Sequence, residues 1–248
     1  MVSQSDFFRL AGRSGPCYNA VVTLMKERDT MYHTILFDLD GTLTDSKEGV
    51  FNCLRYTLEK MGRPIPGEDV LRKFIGPPLQ DSYARYCGFD AGEIRQGLLL
   101  FKERYDTIGW AENMAAPGMA ELCARLKAEG YVLALASSKP EPQCNAICKK
   151  FGFADALTTV VGSAPEIDWE KEDVVREALR RLGIHEAQKS TVLMVGDRKF
   201  DVLGARACGL DCVGVEFFGY ADPGELADAG AVSVVDTAQA LEQFIHSH

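Results

Sequence analysis

Short apolar segments alternate with amphipathic segments along most of this chain. The apolar segments have the length of strands that are covered on both faces; they are residues 34–38, 131–136, 158–162, 191–195, 211–215 and 231–235. Between them, apolar positions follow a helical period in residues 119–129, 142–151, 171–182, 200–208, 223–229 and 238–245. Strands that alternate with helices in this way indicate an α/β fold with a doubly wound parallel sheet.

One long interval breaks this alternation. Between residues 46 and 114 no strand pattern is present, and the apolar positions follow only a helical period, in residues 49–61, 68–74, 79–87 and 91–105. We therefore predict a helical cap domain at residues 46–114. It would be inserted into a core formed by residues 31–45 and 115–248.

Residues 1–30 precede the first predicted strand and contain no recognisable motif. They carry several charges and no apolar core segment, so they do not have the pattern of a signal peptide. We expect an N-terminal extension that is either disordered or absent from the native protein, with Met31 as the natural start. A genuine N-terminal helix is the alternative.

Composition and charge limit the classes of partner. The 248 residues carry a formal net charge of -9, and binding to a nucleic-acid polymer requires clustered positive charge. No apolar run approaches the roughly 20 residues that a membrane helix needs. The eight cysteines form no CxxC pair, which favours reduced thiols in a reducing compartment. We expect a cytoplasmic monomer or homodimer that binds neither nucleic acid nor membrane.

Polar residues follow several of the predicted strands, and ligands of parallel sheets bind beyond the carboxyl ends of the strands. We expect these polar side chains to converge at one edge of the sheet. They are Asp38 and Asp40 after the first strand, Ser137, Ser138 and Lys139 after the second, Lys171 at the start of the helix after the third, and Gly196, Asp197 and Asp201 after the fourth.

Such a group of carboxylates has a definite chemical use. Clustered carboxylates repel one another unless a cation neutralises them, and oxygen ligands suit Mg²⁺. An aspartate beside the metal can attack phosphorus and form an aspartyl-phosphate. A second carboxylate can protonate the leaving oxygen and later activate water. Residues two apart can point to the same side of a strand end, so Asp38 and Asp40 can share one substrate.

These segments resemble, in the same order, the four motifs of haloacid dehalogenase superfamily phosphatases. The DLDGT sequence that begins at Asp38 is similar to the first motif, and Ser137 and Lys171 match the second and third. Gly196 and Asp197 match the fourth motif together with Asp201. The resemblance is to the phosphoglycolate phosphatase-like and 5'-nucleotidase-like branch. It implies a Rossmann-like core with an inserted helical cap of the C1 type.

The resemblance also implies a role for each motif residue. Asp38 would be the nucleophile and a metal ligand. Asp40 would be the acid/base and would bind Mg²⁺ through its backbone carbonyl. Asp197 would be a further metal ligand. Gly41, Thr42, Gly196 and Asp201 would support the site.

Phosphate binding leaves one alternative open. The resemblance implies that Ser137 and Ser138 hold the phosphoryl group together with Lys171. Lys139 directly follows the two serines and competes with Lys171 for this role. We favour Lys171, because similar proteins carry the motif lysine at the start of this helix.

Gly76, Pro77 and Pro78 form the most distinctive turn of the predicted cap. A glycine followed by two prolines makes a stiff connection between helices. In similar enzymes the corresponding loop faces the active site and selects the substrate. A structural turn between helices is the alternative. Aromatic residues of the cap such as Tyr105 could stack on a base, although their helical spacing is more typical of a core.

The sequence therefore predicts a Mg²⁺-dependent phosphomonoester hydrolase that forms an aspartyl-phosphate. Its partner would be a small phosphorylated metabolite, with 2-phosphoglycolate or a nucleoside 5'-monophosphate as the favoured substrate. Asp40 argues against a dehalogenase, which lacks this second aspartate. Two alternatives remain: a sugar phosphomutase similar to β-phosphoglucomutase, and a catalytically weak phosphate-binding regulatory protein.

Overall fold

The core of the structure is a six-stranded parallel sheet. The computed structural model describes residues 32–163 and 169–248, and the predicted extension at residues 1–30 lies outside them. The strands, numbered in chain order, are β1 (Thr34–Phe37), β2 (Thr44–Asp45), β3 (Met114–Ala115), β4 (Val132–Pro140), β5 (Thr159–Ser163), β6 (Val192–Gly196), β7 (Asp211–Val215) and β8 (Ser233–Val235). The sheet has the order β5–β4–β1–β6–β7–β8, and all its neighbouring strands run parallel. The predicted α/β fold with a parallel sheet is confirmed.

Both faces of the sheet are covered by helices, which explains why the strands are apolar throughout. Side chains of β1 alternate between the faces: Ile35 and Phe37 belong to one buried cluster and Leu36 to another. The helices Met119–Ala128, Glu141–Lys150 and Ala238–Ser247 pack in the first cluster. The helices Lys171–Leu182, Lys199–Ala207 and Glu225–Ala229 pack in the second. Helices on both faces make the sheet doubly wound.

A set of helices lies between β2 and β3 and packs around its own buried cluster, which includes Phe51, Phe74 and Phe101. We call residues 46–113 the helical insert. Its helices are Lys47–Lys60, Glu68–Leu71, Leu79–Ser82 and Ala91–Thr107, with 3-10 turns at Arg72–Phe74 and Gly109–Glu112 and a π turn at Tyr83–Cys87. Among the described residues, no helix has the length and apolar character needed to cross a membrane.

The insert is joined to the core by two short strands that run side by side. β2 and β3 pair antiparallel, with Thr44 opposite Ala115 and Asp45 opposite Met114. The chain therefore leaves the core and returns to it at nearly the same place.

The strand β4 is longer than the apolar pattern predicts. The pattern ends at Ala136, whereas the strand continues to Pro140, which pairs with Ser163 after a shift in register. Residues 137–139 therefore lie within an irregular part of the strand rather than beyond its end.

Candidate active site

Asp38 lies directly after β1, at the carboxyl edge of the sheet. Its backbone N–H donates to the carbonyl oxygen of Val195 on the neighbouring strand β6 at 2.9 Å. Its side chain is buried and receives the Nζ of Lys171 on Oδ1 at 2.6 Å. One carboxylate oxygen of Asp38 is therefore held by an ammonium group, and Oδ2 remains without this partner.

Lys171 holds two carboxylates at once. Its Nζ lies 2.6 Å from Asp38 Oδ1 and 2.6 Å from Asp201 Oδ1, although the lysine is distant from both in sequence. Burial alone would lower the pKa of Lys171, but the Asp201 and Asp38 carboxylates raise it above its ordinary value. Lys171 is therefore charged and fixes the relative positions of these two acids.

Three aspartates converge beside Lys171. Asp38, Asp197 and Asp201 each offer one oxygen, and these three oxygens lie within 4.8 Å of one another. Asp197 is 3% exposed, and neither of its carboxylate oxygens has a hydrogen-bond partner among the described residues. Burial and the nearby Asp201 and Asp38 carboxylates raise the pKa of Asp197 well above its ordinary value. A divalent cation would relieve this repulsion and satisfy the two oxygens.

Asp201 differs from Asp197 because both of its oxygens already accept hydrogen bonds. Oδ1 lies beside Lys171, and Oδ2 accepts the backbone N–H of Arg198 at 3.0 Å. This second bond closes the first turn of the helix Lys199–Ala207. Asp201 thus joins the helix that follows Asp197 to the lysine that holds Asp38.

Two glycines allow the acids to come this close. Gly41 has a φ of 87°, and a Cβ on it would lie 2.0 Å from Asp197 Oδ2. A Cβ on Gly196 would lie 2.3 Å from the Cβ of Asp201. Both distances are far below van der Waals contact, so the cluster can form only with glycine at these positions.

Asp40 is held by the second lysine of the site. The Nζ of Lys139 lies 2.9 Å from Asp40 Oδ2, while Asp40 Oδ1 is buried and has no hydrogen-bond partner among the described residues. The two aspartates of the DLDGT sequence therefore contact different lysines. The hydroxyl of Thr42 nearby in sequence is also buried without a partner in the described part of the chain.

The two serines of β4 are placed differently. Ser137 is 2% exposed, and its Oγ accepts the backbone N–H of Lys139 at 3.4 Å. Ser138 is exposed. Of the pair, Ser137 is the serine that lies within the buried part of the site.

Ile75 and Gly76 of the insert contact Arg198, the residue that follows Asp197 of the acidic cluster. The guanidinium of Arg198 donates Nη1 to the carbonyl oxygen of Ile75 at 2.6 Å, and it forms a two-pronged pair with Glu225 at 2.8 and 3.2 Å. Gly76 has a φ of 101°, and a Cβ on it would lie 2.8 Å from Arg198 Nη1. The turn that continues into Pro77 and Pro78 therefore begins against the residue that follows Asp197.

The sequence did not predict a role for Arg198 or Glu225, or the contact of Tyr105 with Lys139. Arg198 could have been suspected from its place between Asp197 and Asp201. The other two carry no local signal, because Glu225 lies 27 residues from its arginine and Tyr105 lies 34 residues from its lysine.

Comparisons with known proteins identify a family, relatives and a similar structure. The sequence profile of the family described as "Haloacid dehalogenase-like hydrolase" matches residues 35–215. The chain is 34% identical to a 5'-nucleotidase of Pseudomonas aeruginosa over 90% of this chain and 100% of that protein. It is 33% identical to the tyrosine-protein kinase PtkA of Mycobacterium tuberculosis, over 84% of this chain and 70% of that protein. A predicted phosphatase of Clostridium acetobutylicum has a similar structure, with a TM-score of 0.80 and 34% identity over 88% of this chain and 99% of that one.

Proposed function

Because the chain belongs to the haloacid dehalogenase-like hydrolase family and is a phosphatase of that family, we propose that it is a Mg²⁺-dependent hydrolase of small phosphomonoesters. The reaction would pass through an aspartyl-phosphate on Asp38. The observation that carries this proposal is the buried cluster in which Lys171 holds Asp38 while both oxygens of Asp197 lack a partner in the described part of the chain.

The charges of the cluster fit a magnesium ion. With all three carboxylates ionised, the single ammonium of Lys171 would leave two negative charges uncompensated in a buried place, and a divalent cation would offset them. We assign Asp38, Asp197 and the backbone carbonyl of Asp40 as its ligands. Asp201 has both oxygens engaged, and we assign it to orienting Lys171. When bound, Mg²⁺ would offset the negative charge of the transferred phosphoryl group.

The first chemical step uses the oxygen of Asp38 that Lys171 leaves free. Oδ2 attacks phosphorus, a bond forms between Asp38 and phosphorus, and the bond to the leaving oxygen breaks. Lys171 and the hydroxyl of Ser137 bind the phosphoryl oxygens. The backbone N–H groups of Leu39 and Asp40, which donate to no carbonyl of the described residues, would also bind them.

Asp40 donates a proton in the first step and accepts one in the second. Its carboxyl group gives a proton to the leaving oxygen, which departs as an alcohol. A water molecule then attacks phosphorus and passes its proton back to Asp40, releasing phosphate and restoring Asp38. Asp40 Oδ1, which is buried and unpartnered, is the oxygen that we assign to this exchange.

We propose that the helical insert acts as the cap over this site and selects the leaving group. The contacts of Ile75 with Arg198 and of Tyr105 with Lys139 support this, because both join the insert to core residues next to the acidic cluster. A closed cap would exclude water while the phosphoryl group is transferred. We favour 2-phosphoglycolate or a nucleoside 5'-monophosphate as substrate.

The test is phosphate release from a panel of small phosphomonoesters by the purified protein with Mg²⁺. We expect turnover that requires Mg²⁺ and disappears in Asp38→Asn, with Asp155→Asn, an exposed aspartate, as the matched control. Turnover by Asp38→Asn would overturn the mechanism. Interconversion of sugar phosphates without net phosphate release would favour a mutase instead, and binding without turnover would favour a regulatory protein.

A further inference from the structure

Lys139 is a buried ammonium group that joins the core to the helical insert. Its Nζ lies 2.9 Å from Asp40 Oδ2, with the lysine side chain only 8% exposed. The same Nζ donates to the hydroxyl of Tyr105 and lies 4.6 Å from the centre of the Tyr105 ring. Tyr105 belongs to the insert helix Ala91–Thr107. One lysine therefore contacts a carboxylate of the core and an aromatic ring of the insert.

The backbone around Lys139 is held in place by its neighbours. The residue lies in the irregular part of β4, where its carbonyl oxygen accepts a hydrogen bond from Sγ of Cys144, with 3.4 Å between oxygen and sulfur. A Cβ on Gly162 would lie 2.5 Å from that carbonyl oxygen, so glycine is needed for β5 to approach here. The backbone of Lys139 is therefore held in place, and this limits the positions that its Nζ can occupy.

The contacts of Lys139 and Lys171 do not overlap. Lys171 binds Asp38 and Asp201, whereas Lys139 binds Asp40 and Tyr105. Lys171 thus holds the proposed nucleophile, and Lys139 holds the proposed acid/base. Because Lys139 takes Oδ2 of Asp40, the unpartnered Oδ1 is the oxygen left to exchange a proton with the substrate.

We infer that Lys139 is a positioning residue that orients the carboxyl group of Asp40 toward the leaving oxygen. Its contact with Tyr105 makes this orientation of Asp40 depend on closure of the insert. The inference rests on the proposed function, in which Asp40 is the acid/base. When the insert moves away, Lys139 loses the hydroxyl and the ring of Tyr105, and Asp40 loses a rigid partner. Protonation of the leaving group is thereby coupled to closure over the substrate.

The competing assignment is that Lys139 binds the transferred phosphoryl group. The two roles differ in how they depend on the leaving group. A lysine on the phosphoryl group matters for every ester, because that group is the same in all of them. In the step that releases the leaving group, a lysine that positions Asp40 matters most for alkyl phosphates, whose leaving oxygen needs a proton. It matters little there for p-nitrophenyl phosphate, whose leaving group departs as a stable anion.

The experiment compares kcat/KM of Lys139→Met and wild type on the best alkyl phosphate of the panel and on p-nitrophenyl phosphate. This ratio reports the step in which the leaving group departs, whereas the later hydrolysis of the aspartyl-phosphate, in which Asp40 activates water, is the same for both esters. General acid catalysis contributes about 10² to 10⁴ in rate, so we expect a loss of about 100-fold on the alkyl ester and of less than about fivefold on the aryl ester. Lys149→Met, an exposed lysine of the helix Glu141–Lys150, is the matched control. Tyr105→Phe keeps the ring below Lys139 and removes the hydroxyl, so a smaller loss with the same selectivity is expected.

Equal losses on the two esters, or no loss on either, would overturn the inference. If Lys139→Met does not fold, Tyr105→Phe still decides, since equal losses of kcat/KM on the two esters would also overturn the inference. Failure of the proposed function is distinguishable, because it would appear as absent turnover in wild type or as turnover retained in Asp38→Asn.

Discussion

Arg198 donates a hydrogen bond to the carbonyl oxygen of Ile75 at 2.6 Å, which ties the residue after Asp197 to the residue before Gly76 in the helical insert. Glu225 holds the same guanidinium from the other side at 2.8 and 3.2 Å. Both side chains of this pair are largely buried. A single arginine therefore connects the acidic cluster, the core helix Glu225–Ala229 and the insert.

We expect Arg198→Lys to weaken this connection. Lysine keeps the charge but lacks the planar fork that contacts Glu225 and Ile75 together. Loss of one charge-assisted hydrogen bond of about 1.4 kcal/mol corresponds to about a tenfold change in an equilibrium. In steady-state kinetics, KM should rise about tenfold, with a smaller change in kcat.

The matched control for this variant is Arg125→Lys. Arg125 forms a similar two-pronged pair with Glu242 at 2.7 and 2.9 Å, but this pair joins two helices of the core. Its KM should stay at the wild-type value. An unchanged KM in Arg198→Lys would show that the contact with Ile75 does not hold the insert over the substrate.

Gly41→Ala should abolish Mg²⁺-dependent turnover. The left-handed backbone at Gly41 costs an alanine about 1 to 2 kcal/mol, and its Cβ would lie 2.0 Å from Asp197 Oδ2. Asp197 must then move away from the other two acids, so affinity for Mg²⁺ should fall. Mg²⁺ titration followed by phosphate release and by thermal unfolding measures both effects.

Gly130→Ala separates the effect of backbone strain from the effect of displacing Asp197. Gly130 also has a positive φ, of 99°, but a Cβ there would meet no atom within 4 Å. This variant should lose a similar amount of stability from the backbone and keep its Mg²⁺ dependence. If both variants lost Mg²⁺ affinity equally, displacement of Asp197 would not be the cause.

The metal-free protein should lose stability as pH rises. The pKa of Asp197 is raised in the folded protein, whereas an unfolded aspartate has a pKa of about 3.9. The folded state then binds more protons than the unfolded state, so the free energy of unfolding falls as pH rises above about 4, by at most about 1.4 kcal/mol per pH unit for one group. Urea unfolding in EDTA between about pH 5 and pH 8 measures this fall.

Two comparisons identify the group responsible. Asp197→Asn removes the charge and should flatten the dependence, whereas the exposed control Asp155→Asn should leave it unchanged. Excess Mg²⁺ should raise the stability of wild type most at the higher pH, because it binds the ionised carboxylate. Stability that rises with pH in EDTA would contradict the repulsion inferred for this cluster.

The thiols of the core should react slowly with alkylating reagents. The seven cysteines among the described residues are free, and burial raises the pKa of Cys123 and of Cys148 to about 12. A thiol with such a pKa is ionised at neutral pH to roughly one part in 10⁵, and the thiolate is the reactive form. Cys87 is only half-buried and should react first.

Peptide mapping after timed alkylation tests this order. The variant Cys17→Ser removes the one cysteine that lies outside the described residues, and unfolding in guanidinium provides the full count as a reference. Labelling of Cys123 before Cys87 would contradict the packing of the core.

Much of the fold follows from local patterns. The helix Lys171–Leu182 and the strand Asp211–Val215 have the bounds that the sequence predicts, because each combines a strong apolar period with clear end signals. The strands β2 and β3 were missed, since two residues are too few to show a period. The continuation of β4 to Pro140 was also missed, because it depends on pairing with Ser163 across the sheet.

For the site, the sequence predicts which residues meet but not which side chains contact each other. Sequence order suffices to expect Asp38, Ser137, Lys171 and Asp197 at one edge, since strand ends of a parallel sheet meet there. It could not assign the two lysines, because this depends on which carboxylate each ammonium reaches in space. Asp201 illustrates the same limit: its two engaged oxygens depend on Lys171 and on the backbone of Arg198.

The side-by-side strands β2 and β3 have a consequence for how such a protein diversifies. Because Thr44 lies opposite Ala115, the chain enters and leaves the insert through one pair of adjacent strands. A recombination event that exchanges everything beyond this connection would leave the sheet, the acids and Lys171 where they are. New specificities can then be acquired by grafting one module, provided that the incoming module supplies a partner for Lys139 in place of Tyr105.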